Sequence, residues 1–167
     1  MPTTTFEHLN NLKKQRIEQA LLIEFSHYSI NDAQVARIVK KAEIARGAFY
    51  KYFDNLEDAY QYLLNKAFKE LHNDLSLENF QDSSFLIDKM KKFIAEANSS
   101  SYFDLFRMHF KSNEQLLHPF ISTIKFTKKE WIIFTLSHET LREIFLDYPH
   151  HTFYLNRFAN IIQNMKE

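Results

Sequence analysis

The chain of 167 residues carries 21 Lys and Arg against 21 Asp and Glu, 45% hydrophobic residues, one glycine, three prolines and no cysteine. Zero formal charge excludes a global field that draws the protein to nucleic acid or membrane, so any such attraction is local, and the lack of cysteine excludes disulfides, thiolate chemistry and a Cys/His zinc site. With so little glycine and proline for hairpins and no sustained apolar/polar alternation, the composition predicts an all-α protein of one large domain or two small ones sharing a core.

Met1 leads into PTTTFEHLNN rather than a basic and apolar leader, and no apolar run approaches the roughly 18 residues of a spanning helix. The expectation is a soluble, cytoplasmic protein that does not enter membranes. A first helix is expected from about Leu9 to Tyr28, with Ile17, Ala20, Leu21 and Phe25 on its apolar face and Lys14, Glu18 and Glu24 opposite. Ser29 to Asp32 form a polar break, and Asn31 followed by Gln34 resembles a capping box opening a second, short helix that runs to about Ala42.

Ile38, Val39 and Ala42, then Ile44, Phe49 and Phe53, repeat at helical spacing around a tight turn. Arg37, Lys40, Lys41, Arg46, Tyr50 and Lys51 are left facing outward, and Glu43 is the one anion within Val35–Tyr52. Two short helices presenting such a strip form a helix-turn-helix, whose last helix enters a DNA major groove while the one before it crosses the backbone. Gly47, the sole glycine, would remove a side chain where backbone and DNA approach, at a cost of about 1 kcal/mol inside a helix. Tyr50, Lys51 and Tyr52 are consecutive, so at least two of their polar tips should point outward, suited to phosphate oxygens. Half-buried tyrosines beside a merely solvated cationic face are the other reading of the same pattern.

Asp54 or Asn55 is expected to cap a further helix with Glu57 and Asp58 in its first turn and Ala59, Leu63, Ala67 and Leu71 as its buried stripe. Polar residues from Asn73 to Ser84 read as a connector. Helices are expected over Leu86 to Asn98, Tyr102 to Asn113, Thr127 to Asp147 and Thr152 to Met165, with Pro119 dividing the chain after the second of these and Pro149 stopping the third.

The segments IEQALLIEF, VARIVKKAEI and above all GAFYKYFDNLEDA, with Phe49, Tyr50, Tyr52 and Phe53 as the most specific part, resemble the amino-terminal domain of the tetracycline-repressor (TetR/AcrR) family of bacterial transcriptional regulators from about Ile17 to Leu63. The resemblance implies about nine helices: a three-helix helix-turn-helix domain over residues 1–54, then a helical ligand-binding and dimerisation domain over 55–167. It implies a homodimer on a double-stranded DNA operator, a repressor by default, responding to an unknown small apolar or amphipathic effector. Carried over by position, Gln34 and Arg37 lie against the DNA backbone, Arg46, Gly47 and Ala48 open the reading helix towards base edges, and Tyr50, Lys51 and Tyr52 touch phosphates or bases. Phe49 and Phe53 fall in the core. Arg46 is the expected specificity residue, because a guanidinium pairs with guanine O6 and N7. The chain departs from the family's pattern at Ser29, at Glu43 and Ala45 in place of the turn glycine and capping serine, and at Leu56 in place of a phosphate-reaching lysine. The last of these keeps a second reading open, a TetR-like fold without DNA binding that serves as a protein or ligand interaction module.

Many of the 17 phenylalanines follow Ser84, and large rings leave irregular spaces between helices. In this family such spaces hold effectors, which marks Phe106, His109, Trp131, Phe134 and His138 as ligand-binding candidates, with ordinary core as their other reading. His150 and His151 are adjacent, and no HExxH or comparable spacing occurs, so no metal, no cofactor and no enzyme activity is expected. Trp131 to Leu136, and Phe153, Tyr154, Phe158, Ile161, Ile162 and Met165, leave the last two helices apolar almost all round. That predicts a four-helix interface with a symmetry mate.

Overall fold

The computed structural model describes residues 2–71, 82–116 and 126–165. Among them every regular element is helical: α1 Thr4–Glu7, α2 Asn11–His27, α3 Val35–Ala42, α4 Arg46–Tyr52, α5 Leu56–Leu71, α6 Ser83–Ser99, α7 Phe103–Met108, α8 Lys128–Leu146 and α9 His151–Asn164. The all-α expectation holds. The connector expected at 73–84 lies outside the described residues up to residue 81, as do Pro119 and Phe120.

The chain packs as two compact units, residues 1–70 with 104–117, and 71–103 with 118–167. The helix that follows residue 54 packs with the amino-terminal helices for a physical reason. The α5 ring of Tyr60 packs edge-on against Phe25 of α2 at 5.1 Å, and Phe68 of α5 meets Phe106 of α7 at 4.9 Å. These contacts tie α5 and α7 into the core around α2.

In the first unit, α1 is too short for periodicity to reveal, yet its Phe6 is fully buried against Tyr52, Phe53 and Tyr62, with ring centroids 5.8, 4.8 and 5.0 Å away. Asn10 caps α2 by accepting the Lys13 N–H at 2.9 Å, so the helix begins later than its apolar pattern implied. Ile17, Ala20, Leu21 and Phe25 are buried as expected, but so is Glu24. The capping box expected from Asn31 and Gln34 does not form. Ser29 Oγ instead donates to the Asp32 carboxylate at 2.5 Å, and α3 begins after Gln34 without a side-chain cap. Asn55 does cap α5, accepting the Asp58 N–H at 2.8 Å, while Asp58 accepts the Asp54 N–H at 3.2 Å.

The helix expected to run to Asn113 changes pitch, with α7 passing into a π-helical turn over His109–Asn113 and a 3₁₀ turn over Glu114–Leu116. The wider turn brings the fully buried Asn113 to the break after α2, where its Oδ1 accepts the Ile30 N–H at 2.9 Å. Beside it the Tyr60 hydroxyl and His109 Nδ1 lie 3.1 Å apart. Burial pushes the Tyr60 hydroxyl well above the usual phenol range, an effect tempered by Asn113.

In the second unit, Asp82 caps α6 through the Ser84 and Phe85 N–H groups, and Leu86, Ile87, Met90, Phe93, Ile94 and Ala97 form its buried face. Thr127 and Glu130 close a reciprocal capping box at the start of α8. After Leu146 the chain turns through Tyr148–His150, with Pro149 inside the turn, and α9 packs on α8 and α6. The Asp147 carboxylate gathers this corner, accepting from Tyr154 Oη at 2.8 Å and lying 2.9 Å from His150 Nδ1, and these contacts hold it below the usual carboxylate range. Trp131, Ile132, Leu146, Phe153 and Ile161 stand exposed on α8 and α9.

Candidate nucleic-acid interface

Helix α3 buries Val35, Ile38 and Ala42 and leaves Lys40 and Lys41 exposed at its last turn, where the helix dipole favours cations. The turn after it hinges on Glu43, at φ 53° and ψ 48°, the single non-glycine residue with positive φ among those described. A side chain in this left-handed conformation costs roughly 1–2 kcal/mol, which is why glycine suits the position. The Glu43 carboxylate takes a salt bridge from Arg16 at 2.7 Å, but both side chains are well exposed and the pair offsets little of that cost.

Helix α4 starts after Ala45, whose methyl group cannot cap it. Phe49 and Phe53 turn fully inward, whereas Arg46, Gly47, Tyr50 and Lys51 face outward and Ala48 is half-buried. Tyr50 is 50% exposed, its ring edge-on to Phe49 at 5.3 Å. A Cβ on Gly47 would meet nothing within 4 Å and its φ is not positive, so neither packing nor backbone conformation inside the chain calls for glycine there.

Two expected contacts are placed differently. Tyr52 is 4% exposed, its ring beside Phe6 and under the Lys13 ammonium at 5.8 Å, because at three residues from Phe49 it shares the buried face. Of the three consecutive residues, Tyr50 and Lys51 alone point outward. Arg37 is occupied inside the domain. Its Nε and Nη2 bind both oxygens of the buried Glu24 carboxylate at 2.6–3.0 Å, Nη2 also donates to the Asp32 carbonyl at 2.8 Å, and the guanidinium lies 3.9 Å from the Tyr28 ring centroid. Hydrogen bonding to Glu24 raises the Arg37 pKa further. Gln34 keeps an exposed side chain at the start of α3 while its N–H donates to Glu24 at 2.7 Å. Glu24 is thus the organising anion of the helix pair, and a pairing 13 residues apart leaves no periodic trace in the sequence.

Residues 19–59 match the family model described as bacterial regulatory proteins, tetR family. That stretch, from the middle of α2 to the first turn of α5, is thus similar to a tetR-family regulatory domain. A solved structure of a TetR family transcriptional regulator from Chloroflexus aurantiacus J-10-FL is similar over 98% of this chain and 95% of that one, at 19% identity and a TM-score of 0.52, a likeness of fold. No curated protein matches the chain.

The matched stretch ends inside α5, and the five residues expected to bind an effector, all beyond it in sequence, divide between the two units. Phe106 is fully buried on Phe68 and His109 is paired with Tyr60, both in the first unit. In the second unit, Phe134 lies stacked between Phe126 at 5.3 Å and His138 at 6.3 Å, while Trp131 is 57% exposed. Among the described residues no helix is long and apolar enough to cross a membrane, and no group of three His, Asp or Glu is placed to hold a metal ion.

Proposed function

We propose that the protein is a homodimeric transcriptional regulator, by default a repressor, that reads a near-palindromic operator with α4 and answers to a small apolar or amphipathic effector. The carrying observation is the face of α4: Arg46, Gly47, Tyr50 and Lys51 outward, backed by buried Phe49 and Phe53, with a glycine that the chain's own packing does not require. Arg46 reads a base edge, Gly47 and Ala48 admit the close approach of the duplex, and Tyr50, Lys51 and Gln34 bind phosphates. Tyr52 and Arg37 hold the domain in shape. Half-sites then lie one helical turn, or a multiple of one, apart.

The exposed apolar side chains of α8 and α9 support dimerisation through those helices, and the rings around Phe134 and His138 support an effector site in the carboxy-terminal unit. Effector binding would bias the orientation of α5 and so the spacing of the paired reading helices. Leu56 at the start of α5, where the family's lysine is absent, favours the second reading, an interaction module without DNA binding. A mobility shift with DNA flanking the protein's own gene separates the two. The regulator shifts the fragment, with a log–log salt slope of about −0.9 per phosphate neutralised, and Arg46→Ala costs about 1–3 kcal/mol of discrimination. No shift at low salt defeats the regulator reading.

A further inference from the structure

Helix α4 has little of its own to keep it folded. It is seven residues long, has glycine in its first turn, and lacks a side-chain N-cap, and an isolated helix of that length does not persist in water. Its far end leaves four carbonyls without partners inside the helix. Two of them are met by one distant residue: Thr3 N–H donates to the Tyr52 carbonyl at 3.0 Å, and Thr3 Oγ1 donates to the Lys51 carbonyl at 2.6 Å. Three residues on, Phe6 is fully buried against Tyr52 and Phe53 and so fastens this strap, with the Lys14 ammonium 5.2 Å from its ring on the outer side.

We infer that the amino-terminal strap, through the two donors of Thr3, is the device that holds the reading helix in its DNA-competent shape, making Thr3 a positioning residue for operator affinity that itself touches no DNA. The inference rests on the regulator reading of α4. Affinity falls with the fraction of molecules in which the helix is formed, so loosening its last turn weakens binding without removing a contact. The strap also explains how glycine is tolerated in so short a helix.

Thr3→Pro is the decisive variant. The residue has φ −72°, which proline adopts without strain, and the substitution deletes both donors. Thr3→Ser retains both and serves as the conservative control. Hydrogen exchange on the free, full-length protein should show α4 amides of the proline variant exchanging about tenfold faster, with α6, α8 and α9 unchanged and the serine variant like wild type. Binding to a duplex selected by the wild-type protein from a random-sequence pool should weaken about tenfold for Thr3→Pro at an unchanged salt slope. Wild-type affinity in Thr3→Pro, faster exchange spread over the whole chain, or a slope reduced by about one phosphate would each overturn the inference, the last because it would make the strap a contact. If the wild type selects no duplex, the regulator reading fails by itself, and the exchange measurement still decides whether Thr3 holds the helix.

Discussion

Glu43 and Gly47 form an instructive pair, because the chain places its glycine where the backbone does not need one and a glutamate where it does. Replacing Glu43 by glycine should relieve left-handed strain and, after the flexibility glycine adds to the unfolded chain, stabilise the protein by about 0.5–1 kcal/mol in urea unfolding. It also removes an anion beside the cationic strip, so operator binding should tighten. A loss of stability would mean that the Arg16 pair matters more than its exposure implies. The buried Glu24 gives the opposite case: Arg37→Ala leaves a carboxylate inside the domain without its guanidinium, and should lower the melting temperature more than Arg16→Ala, which breaks a surface pair. Equal losses would refute that ranking. Tyr60 supplies a pH dependence. Burial raises the folded pKa of this acid above the unfolded value of about 10, so its stabilising contribution is complete below that pH and is lost as pH rises towards the folded value. Melting temperatures measured from pH 8 to 11 should fall less steeply for Tyr60→Phe than for wild type.

Helices with a full apolar stripe were legible in the sequence: α2, α5, α6, α8 and α9 lie near their expected spans, and Asn55 caps α5 as its neighbours Glu57 and Asp58 suggested. What escaped were elements held by partners far along the chain. The α1 strap has a single turn and exists because Phe6 finds the rings of α4 and α5, and the π-helical turn at His109–Asn113 exists where a buried amide meets the Ile30 N–H across 83 residues. Neither leaves a period to detect. Asn113→Ala should therefore cost about 1–3 kcal/mol, since it strands the Ile30 amide in a part-buried site, and equilibrium unfolding measures it. A near-neutral result would mean that water reaches Ile30 and that the pitch change has another cause.

For the assembly, the exposed side chains of α8 and α9 carry the proposal of a dimer. Phe153 is 62% exposed, so exchanging it for aspartate removes no core contact of the single chain, yet it would put a charge into an apolar interface. Phe153→Asp should halve the mass seen by sedimentation and weaken operator binding, because each monomer then grips one half-site alone. A monomeric wild type, or a variant that stays dimeric, would move the interface elsewhere. The boundary between compact units belongs here too: residues 55–70 and 104–117 pack with the amino-terminal helices, a grouping set by ring contacts of Tyr60, Phe68 and Phe106 rather than by composition.

By itself the amino-acid sequence determined the helical class, the helix pair with its cationic face, and the outward placement of Arg46, Tyr50 and Lys51, since these come from hydropathy at a period of 3.6 and from local turn chemistry. Only the tertiary structure decided that Tyr52 is core, that Arg37 serves Glu24, that Thr3 closes the end of α4, and that the effector candidates divide between two units. Those facts depend on which distant side chains meet, and burial of rings and pairing of charges across tens of residues obey no spacing that the sequence displays.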